Sequence, residues 1–372
     1  MTADAAAHGI RELDPDGTIG LIGDDQHLPY NRPPLTKGLW KGDDPDSIWR
    51  GTDQCNVEFH LGRTAQAVDA KNKRVTDDQG AVYTYDKLLL ATGGSPRELP
   101  YKHIPIIYYR TLEDFRALYG MLQLNHRFGV IGGGFIGWEI AAALAMNNQK
   151  VTMLFPEDGI GARLYPAELS AFLTGYYAEK GVEVLTRERV EDMEPVGHTV
   201  VLRLSSGRAL EVEGIAAGLG ILPNTQLAEA AGLKVDNGIL VDEFLRTSNS
   251  DIFAAGDVAN FFNPALEKHI RVEHEDNANT MGRAAGRAMA GERQPYDHLP
   301  FFYSDLFDLG YEAVGEIDAR LETVADWKQQ FREGVIYYIH AGRIRGVLLW
   351  NIFGQVDAAR KLIGASASAR LE

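Results

Sequence analysis

The chain has one cysteine, Cys55, in 372 residues. No intramolecular disulfide can form, which points to a reducing compartment, and a redox centre built on paired cysteines is excluded. The flanking residues of Asp53-Gln54-Cys55-Asn56 include no Lys or His to lower a thiol pKa, so Cys55 reads as a partly buried structural residue. Positive charge is also scarce: 37 Lys and Arg against 52 Asp and Glu leave a net charge of −15. A nucleic-acid surface needs the opposite sign. No apolar run approaches the ~20 residues that span a bilayer, so no membrane role is expected. The opening, MTADAAAHGIREL, has no apolar signal-peptide core and is too acidic for a transit peptide. These absences predict a cytoplasmic protein. No spacing of His, Cys, Asp or Glu suits a metal, and no Ser/His/Asp set stands out.

With 45% apolar and 24% charged residues the composition is that of a soluble globular protein. Its length predicts two or three domains. The most informative run is RFGVIGGGFIGWE, residues 127–139. A short apolar strand over 128–131 enters Gly132-x-Gly134-x-x-Gly137, an Ala-rich helix follows over 138–146, and a second strand over 150–155 closes the unit. This pattern cradles a dinucleotide pyrophosphate. Gly132 permits the tight turn, Gly134 lets the backbone approach the phosphates, and Gly137 lets the helix pack closely, while the helix N-terminus offers N–H groups to the anion.

A second, partial unit opens the chain. Residues 2–13 predict a short amphipathic helix and 18–22 a strand, ending at Gly23-Asp24-Asp25. In such units a carboxylate after the second strand accepts hydrogen bonds from an adenosine ribose, so Asp24 or Asp25 is placed for that job. The prolines of residues 29–37 predict a stiffened extended loop carrying Arg32 and Lys37. Strand-like pieces follow at 57–60, 74–76, 82–85 and 88–91. A new region begins at 108–122 through a helix. Beyond the glycine loop, a helix over 167–180, a strand over 182–185 and a hairpin at Ser206-Gly207 are expected, then a helix over 277–290. From Phe301 aromatic residues cluster, and strands over 311–317, 321–327, 334–340 and 344–350 with a helix over 357–363 predict a small antiparallel α+β domain. The Ala/Ser tail, 364–369, is expected to fray.

The segments PYNRPPLTK, LLLATGGSPR, VIGGGFIGWE, GLGILPN and IFAAGDV, in that order, resemble the two-dinucleotide flavoprotein reductases. Within them MLFPEDG, RVEHEDNA, YSDL, GYEAVGEI and VLLWNIF resemble the apoptosis-inducing-factor and ferredoxin-reductase-like branch of bacterial type. The resemblance covers nearly the whole chain. It implies an α/β protein with two Rossmann-like, glutathione-reductase-like dinucleotide-binding domains and a small C-terminal α+β domain. The implied division is a split FAD domain at 1–107 and 225–300, an NAD domain at 108–224 and a C-terminal domain at 301–372. Implied cofactors are FAD and NAD(H). The expected function is an FAD-dependent oxidoreductase that accepts hydride from NADH and passes electrons to a ferredoxin, rubredoxin or quinone-like acceptor. The alternative is a redox-gated binding protein whose slow NADH oxidation controls oligomerisation or partner binding. A homodimer is possible.

By the same resemblance, Asp24 and Asp25 fall at the FAD ribose, Arg32 and Lys37 beside the flavin and its phosphates, and Arg110 and Asp257 on the FAD. Gly132, Gly133, Gly134, Phe135, Ile136 and Gly137 match the NAD phosphate loop, and Glu157, Arg163 and Gly220 match NAD contacts. Glu273, His274, Tyr303, Glu312 and Asn351 match residues near the nicotinamide–flavin stack, with His274 between Glu273 and Glu275. Lys37 is the expected hydrogen-bond donor on the N5 side of the flavin, and Glu139 its implied partner, since a buried ammonium beside a flavin is costly unpaired. Lys37, Glu139 and His274 are thus the expected catalytic groups. Glu157 lies slightly beyond the usual ~20-residue spacing of a ribose-binding acid. Its charge favours NADH, while Arg163 could accept the 2′-phosphate of NADPH. Met1 falls where the first FAD-domain helix is already under way, and the strand and GxGxxG expected before it are not in the sequence. Loss of that strand would open a slot in the sheet and remove the N–H cradle of the FAD pyrophosphate. The expectation is a true start upstream; the alternative is a variant with weakened FAD binding.

Overall fold

A computed structural model describes residues 1–370. The α/β chain divides into two compact units, each built from three segments. One comprises Met1–Asn31, Pro45–Ser95 and Leu222–Phe302; the other comprises Arg32–Asp44, Pro96–Ile221 and Tyr303–Glu372.

In the first unit the helix Thr2–Arg11 precedes the strand Ile19–Gly23, which runs parallel to Val57–Leu61. A second parallel pair joins Leu88–Leu90 to Ile252–Ala254. The two pairs are separate sheets, and among the described residues no strand joins them. An antiparallel meander of Ala65–Asp69, Arg74–Asp77 and Val82–Thr84 stands beside them. Leu90, Ile252, Ala254, Val258, Phe261, Met281 and Ala285 form the apolar core. The helix Glu275–Met289 crosses Thr2–Arg11 at backbone contact. A Cβ on Gly9 would lie 2.2 Å from the Arg283 carbonyl oxygen, and one on Gly286 2.0 Å from that of Ala6.

In the second unit four parallel strands stand in the order Val182–Thr186, Lys150–Phe155, Arg127–Ile131, Gly214–Ala217. The helix Phe135–Met146 begins earlier than the sequence suggests, because Gly134 is its N-cap. The predicted hairpin gains a third strand, Val190–Val196, which sequence patterning misses because Met193 is its one buried residue. The C-terminal sheet is five-stranded and antiparallel, in the order Phe301–Leu306, Leu309–Gly315, Arg343–Trp350, Glu333–His340, Glu322–Gln329. Its first strand, Phe301–Leu306, is rich in aromatic residues, which favour strand, although in sequence the run reads only as an aromatic cluster.

Three local expectations are corrected. The proline loop is not extended: it folds into successive 3-10 turns, Pro33–Thr36 and Gly38–Lys41, with proline at the first helical positions where its missing N–H costs nothing. The helix after 108 starts only at Leu112, set by a capping box between Thr111 and Asp114. The Ala/Ser tail is tied down: the Ile344 N–H donates to the Ala365 carbonyl at 3.0 Å, and the Ala367 N–H donates to the Gly342 carbonyl at 2.9 Å. No helix among the described residues is long and apolar enough to cross a membrane.

Candidate cofactor and redox site

The glycine loop lies wholly in the second unit. Gly132 adopts a φ of 117°, and a Cβ there would lie 2.3 Å from the Gly218 carbonyl oxygen. A Cβ on Gly137 would lie 2.0 Å from the Gly132 carbonyl oxygen. Both obstacles are backbone, so neither can rotate aside. A Cβ on Gly133 would meet the Phe155 ring at 2.8 Å. Gly134 differs: it is exposed, its backbone is extended, and nothing lies within 4 Å of a Cβ built on it. Two glycines therefore close the turn, while the third keeps an open face over the first-turn amides of Phe135–Met146. An open, electropositive helix start with no side chain in the way fits a dinucleotide pyrophosphate. The Phe135 ring packs edge-on to Trp138 at 4.9 Å, and half-buried Ile136 follows in the same turn. Gly220 is exposed, with φ 80°, and its carbonyl accepts from the Arg97 N–H at 2.9 Å.

Glu157 and Arg163, which carry opposite implications for a 2′-phosphate, are paired. The Arg163 Nη2 lies 2.5 Å from Glu157 Oε1, with the arginine 80% and the glutamate 22% exposed.

A polar network surrounds Glu139, 5% exposed on the glycine-loop helix. Its Oε2 accepts from Lys37 Nζ at 2.6 Å and from the Thr36 hydroxyl at 2.5 Å. Its Oε1 accepts from the Ser304 hydroxyl at 2.5 Å. Ser304 in turn accepts from the indole N–H of Trp138 at 2.8 Å. Lys37 is 14% exposed, and its ammonium lies 5.3 Å from the Tyr303 ring centre, a cation–π contact. A nearly dry lysine with a carboxylate partner is what a charged donor held ready for a ligand requires. The sequence singled out Lys37, Glu139 and Tyr303, and the structure brings these three together. It missed Thr36, Ser304 and Trp138, short or apolar-looking positions that carry no spacing signal.

Glu312 lies on the strand Leu309–Gly315, and Asn351 just past the end of its antiparallel partner Arg343–Trp350. Glu312 Oε2 accepts from the Gly354 N–H at 2.9 Å, and Asn351, at φ 55°, donates its N–H to the Gly310 carbonyl at 2.8 Å. Arg32 caps the turn Pro33–Thr36, and the Arg110 N–H donates to Asp114 Oδ2 at 3.0 Å.

The first unit holds the remaining candidates. Asp24 is exposed just past its strand. Asp25 accepts from the Tyr30 hydroxyl at 2.9 Å and the His27 N–H at 3.0 Å, so it shapes its own loop. Asp257 is half-buried on a turn that three neighbours fix. Gly256, at φ 74°, has Thr2 Oγ1 2.3 Å from where its Cβ would sit. Its N–H donates to Met281 Sδ at 3.3 Å. Arg271 donates from Nη1 to the Asp257 carbonyl at 3.0 Å and pairs through Nη2 with Glu273 at 2.6 Å. His274 is the N-cap of Glu275–Met289, so Glu275 opens that helix. The imidazole stacks on Phe302 at 4.4 Å and 13°. Desolvation pushes it down to about 4 against the opposing pull of Asp257 and Asp276. It is neutral at pH 7 and presents a flat, uncharged ring. A carboxylate on a rigid turn and a neutral ring suit the ribityl and ring portions of FAD. A second GxGxxG is not present in the 372 residues.

The cysteine is corrected in one respect. His8, distant in sequence, brings Nδ1 to 3.3 Å from Cys55 Sγ. The thiol is nevertheless pushed up, by burial first and by Asp4 next, so it stays protonated and structural.

Comparison with known proteins converges on one group. Residues 3–282 match the pyridine nucleotide-disulphide oxidoreductase family, and 285–330 and 325–365 match the apoptosis-inducing factor, mitochondrion-associated, C-terminal family. The chain is 34% identical to apoptosis-inducing factor 1, mitochondrial, of Dictyostelium discoideum, over 96% of its own length and 76% of that protein. It is also 34% identical to the ferredoxin–NAD(+) reductase component of the anthranilate 1,2-dioxygenase system of Burkholderia cepacia, over 97% of its length and 91% of that protein. The solved covalent putidaredoxin reductase–putidaredoxin complex superposes with a TM-score of 0.92 at 30% identity, covering 98% of this chain and 91% of that one.

Proposed function

The chain belongs to the pyridine nucleotide-disulphide oxidoreductase family, with an apoptosis-inducing-factor C-terminal domain, and on that premise we propose that it is an NADH-dependent reductase serving a small ferredoxin-type protein. It is an FAD-dependent, NAD(P)H-oxidising flavoprotein. The observation that carries the acceptor reading is the single cysteine. A cysteine-pair relay needs two thiols, and the one thiol here is buried and held protonated, which favours an external electron carrier. Relatives named as ferredoxin reductases support that choice.

Bound FAD supplies the ring that takes hydride from a nicotinamide and releases electrons to the acceptor. The chain's own residues bind, orient and set charge. In our reading 108–224 is the NAD domain, 1–107 with 225–300 the FAD domain, and 301–372 the C-terminal domain. The loop 132–137 holds the NADH pyrophosphate and Glu157 its adenosine ribose. Because Arg163 is already neutralised by Glu157, a 2′-phosphate gains nothing there, which favours NADH over NADPH. Asp24, Arg32, Arg110 and Asp257 hold FAD. Lys37, held by its hydrogen bond to Glu139, offers an N–H to the flavin edge. His274 gives an uncharged face to a ring system. Glu273, Tyr303, Glu312 and Asn351 line the nicotinamide side. We place the enzyme in the cytoplasm; sedimentation would check whether it forms a homodimer.

Stopped-flow mixing of the FAD-loaded protein with NADH is expected to bleach the flavin. A ferredoxin- or rubredoxin-type protein is then expected to restore the absorbance in each turnover. Slow bleaching, dimerisation on NADH addition and no acceptor-dependent NADH oxidation would refute the reductase reading.

A further inference from the structure

The two oxygens of Glu139 are not equivalent, and the difference traces to one serine. An indole N–H can only donate, and a hydroxyl has one proton. Because Trp138 donates to Ser304, the serine's own proton must point away from the indole, and the oxygen it meets is Glu139 Oε1. That orientation cannot reverse, since the indole offers no acceptor. Ser304 is 1% and Trp138 0% exposed, so water cannot replace either bond. Thr36 is different. It donates to Glu139 Oε2, yet the Pro33 carbonyl stands 3.3 Å from the same hydroxyl as an alternative acceptor, and the Lys37 ammonium lies 3.4 Å away as a donor to it. One side of the carboxylate is therefore locked as a hydrogen-bond acceptor, and the other is adjustable.

We propose that Ser304, oriented by Trp138, is a positioning residue that holds Glu139 as an acceptor-only carboxylate with Oε2 turned to Lys37, and thereby sets the electron affinity of the flavin beside Lys37. The proposal rests on the reading above that Lys37 lies at the flavin edge. A fixed carboxylate holds the ammonium in place, and positive charge there favours the reduced, anionic ring. Without the serine hydroxyl, Oε1 loses a charge-assisted bond in a dry setting and only the adjustable Oε2 side fixes the carboxylate, so the ammonium is held less firmly.

The test uses FAD-loaded protein carrying Ser304→Ala, Ser304→Thr or Trp138→Phe. Two quantities are read: the flavin midpoint potential, by equilibration with a redox dye, and the single-turnover rate of flavin reduction by NADH. Ser304→Ala and Trp138→Phe are expected to move the potential to more negative values and to slow reduction roughly tenfold, with the Kd for NADH unchanged. Ser304→Thr, which keeps the hydroxyl, is expected to recover the wild-type potential. Should Ser304→Ala not fold, Trp138→Phe still tests the claim, because it deletes only the indole donor while retaining a ring. A wild-type potential in Ser304→Ala or Trp138→Phe, or a Ser304→Thr variant no better than Ser304→Ala, overturns the positioning role. Failure of the wild-type flavin to be reduced by NADH would instead overturn the reductase reading itself.

Discussion

The glycines of the nucleotide loop predict opposite consequences for one substitution at two positions three residues apart. In Gly137→Ala the new methyl carbon would stand 2.0 Å from the Gly132 carbonyl oxygen and 2.9 Å from its carbon. An ordinary contact needs more than an ångström of extra room, and backbone cannot yield as a side chain does. Overpacking costs about 1–3 kcal/mol where neighbours can adapt, so the upper end applies here. Alanine returns about 1 kcal/mol in helix propensity, leaving a net loss of about 2 kcal/mol. In Gly134→Ala nothing stands within 4 Å of the methyl, and φ −97°, ψ −175° suits any residue. A poorer N-cap and a stiffer unfolded chain offset each other to within about 0.5 kcal/mol. That methyl instead occupies the face where a pyrophosphate would approach. Urea unfolding of the apoprotein should therefore detect Gly137→Ala and not Gly134→Ala. Steady-state kinetics of Gly134→Ala should show KM for NADH raised at least about tenfold, as for the loss of a well-made anion contact. The reasoning fails if Gly134→Ala loses as much stability as Gly137→Ala, or if its KM stays within twofold of wild type.

Asp4 is 1% exposed and is held by Arg50, with the Thr52 hydroxyl at 2.6 Å. Arg50→Ala leaves that carboxylate buried without its cation and is expected to lower stability by about 3–5 kcal/mol in urea titrations. His274 goes from 6.5 when unfolded down to about 4 when folded, so between these values the unfolded chain binds more protons. Its contribution is complete above pH 6.5, declines as pH falls toward 4 and is constant below; His274→Asn should flatten that segment of the unfolding profile. Glu157→Ala releases Arg163 and is expected to shift the kcat/KM ratio about tenfold toward NADPH, with Arg163→Ala in the same chain cancelling the gain.

How much of this was legible in the sequence depends on the range of the constraint. The strand–loop–helix at 127–146 could be read because each glycine answers a local demand: a positive φ, a close approach, an open face. Lys150–Phe155 could be read because five of its six residues are buried. Val190–Val196 could not, since its sheet partners are needed to make a strand of a segment that buries one side chain. The fraying expected of the tail failed for the same reason, because its hydrogen bonds reach back to Gly342 and Ile344.

The redox centre shows the limit most clearly. Lys37 and Glu139 are 102 positions apart and were joined only by resemblance, although electrostatics demands some carboxylate for a lysine so little exposed. No such demand points to Ser304, which meets Glu139 across 165 positions. A serine is cheap to solvate, common in turns and satisfied by any neighbour, so its sequence context says nothing about where its proton points. Its role emerges only after the fold has placed a donor-only indole on one side of it and a carboxylate on the other. Cys55 makes the converse case: its local sequence predicted no histidine neighbour, the fold supplied His8 at 3.3 Å, and burial beside Asp4 still keeps the thiol protonated. Proximity alone did not create reactivity there, because burial first, and the Asp4 carboxylate next, raise the thiol's proton affinity. At Glu139 the carboxylate is itself the group being held, by donors from Lys37, Thr36 and Ser304 that the fold brings in from distant positions.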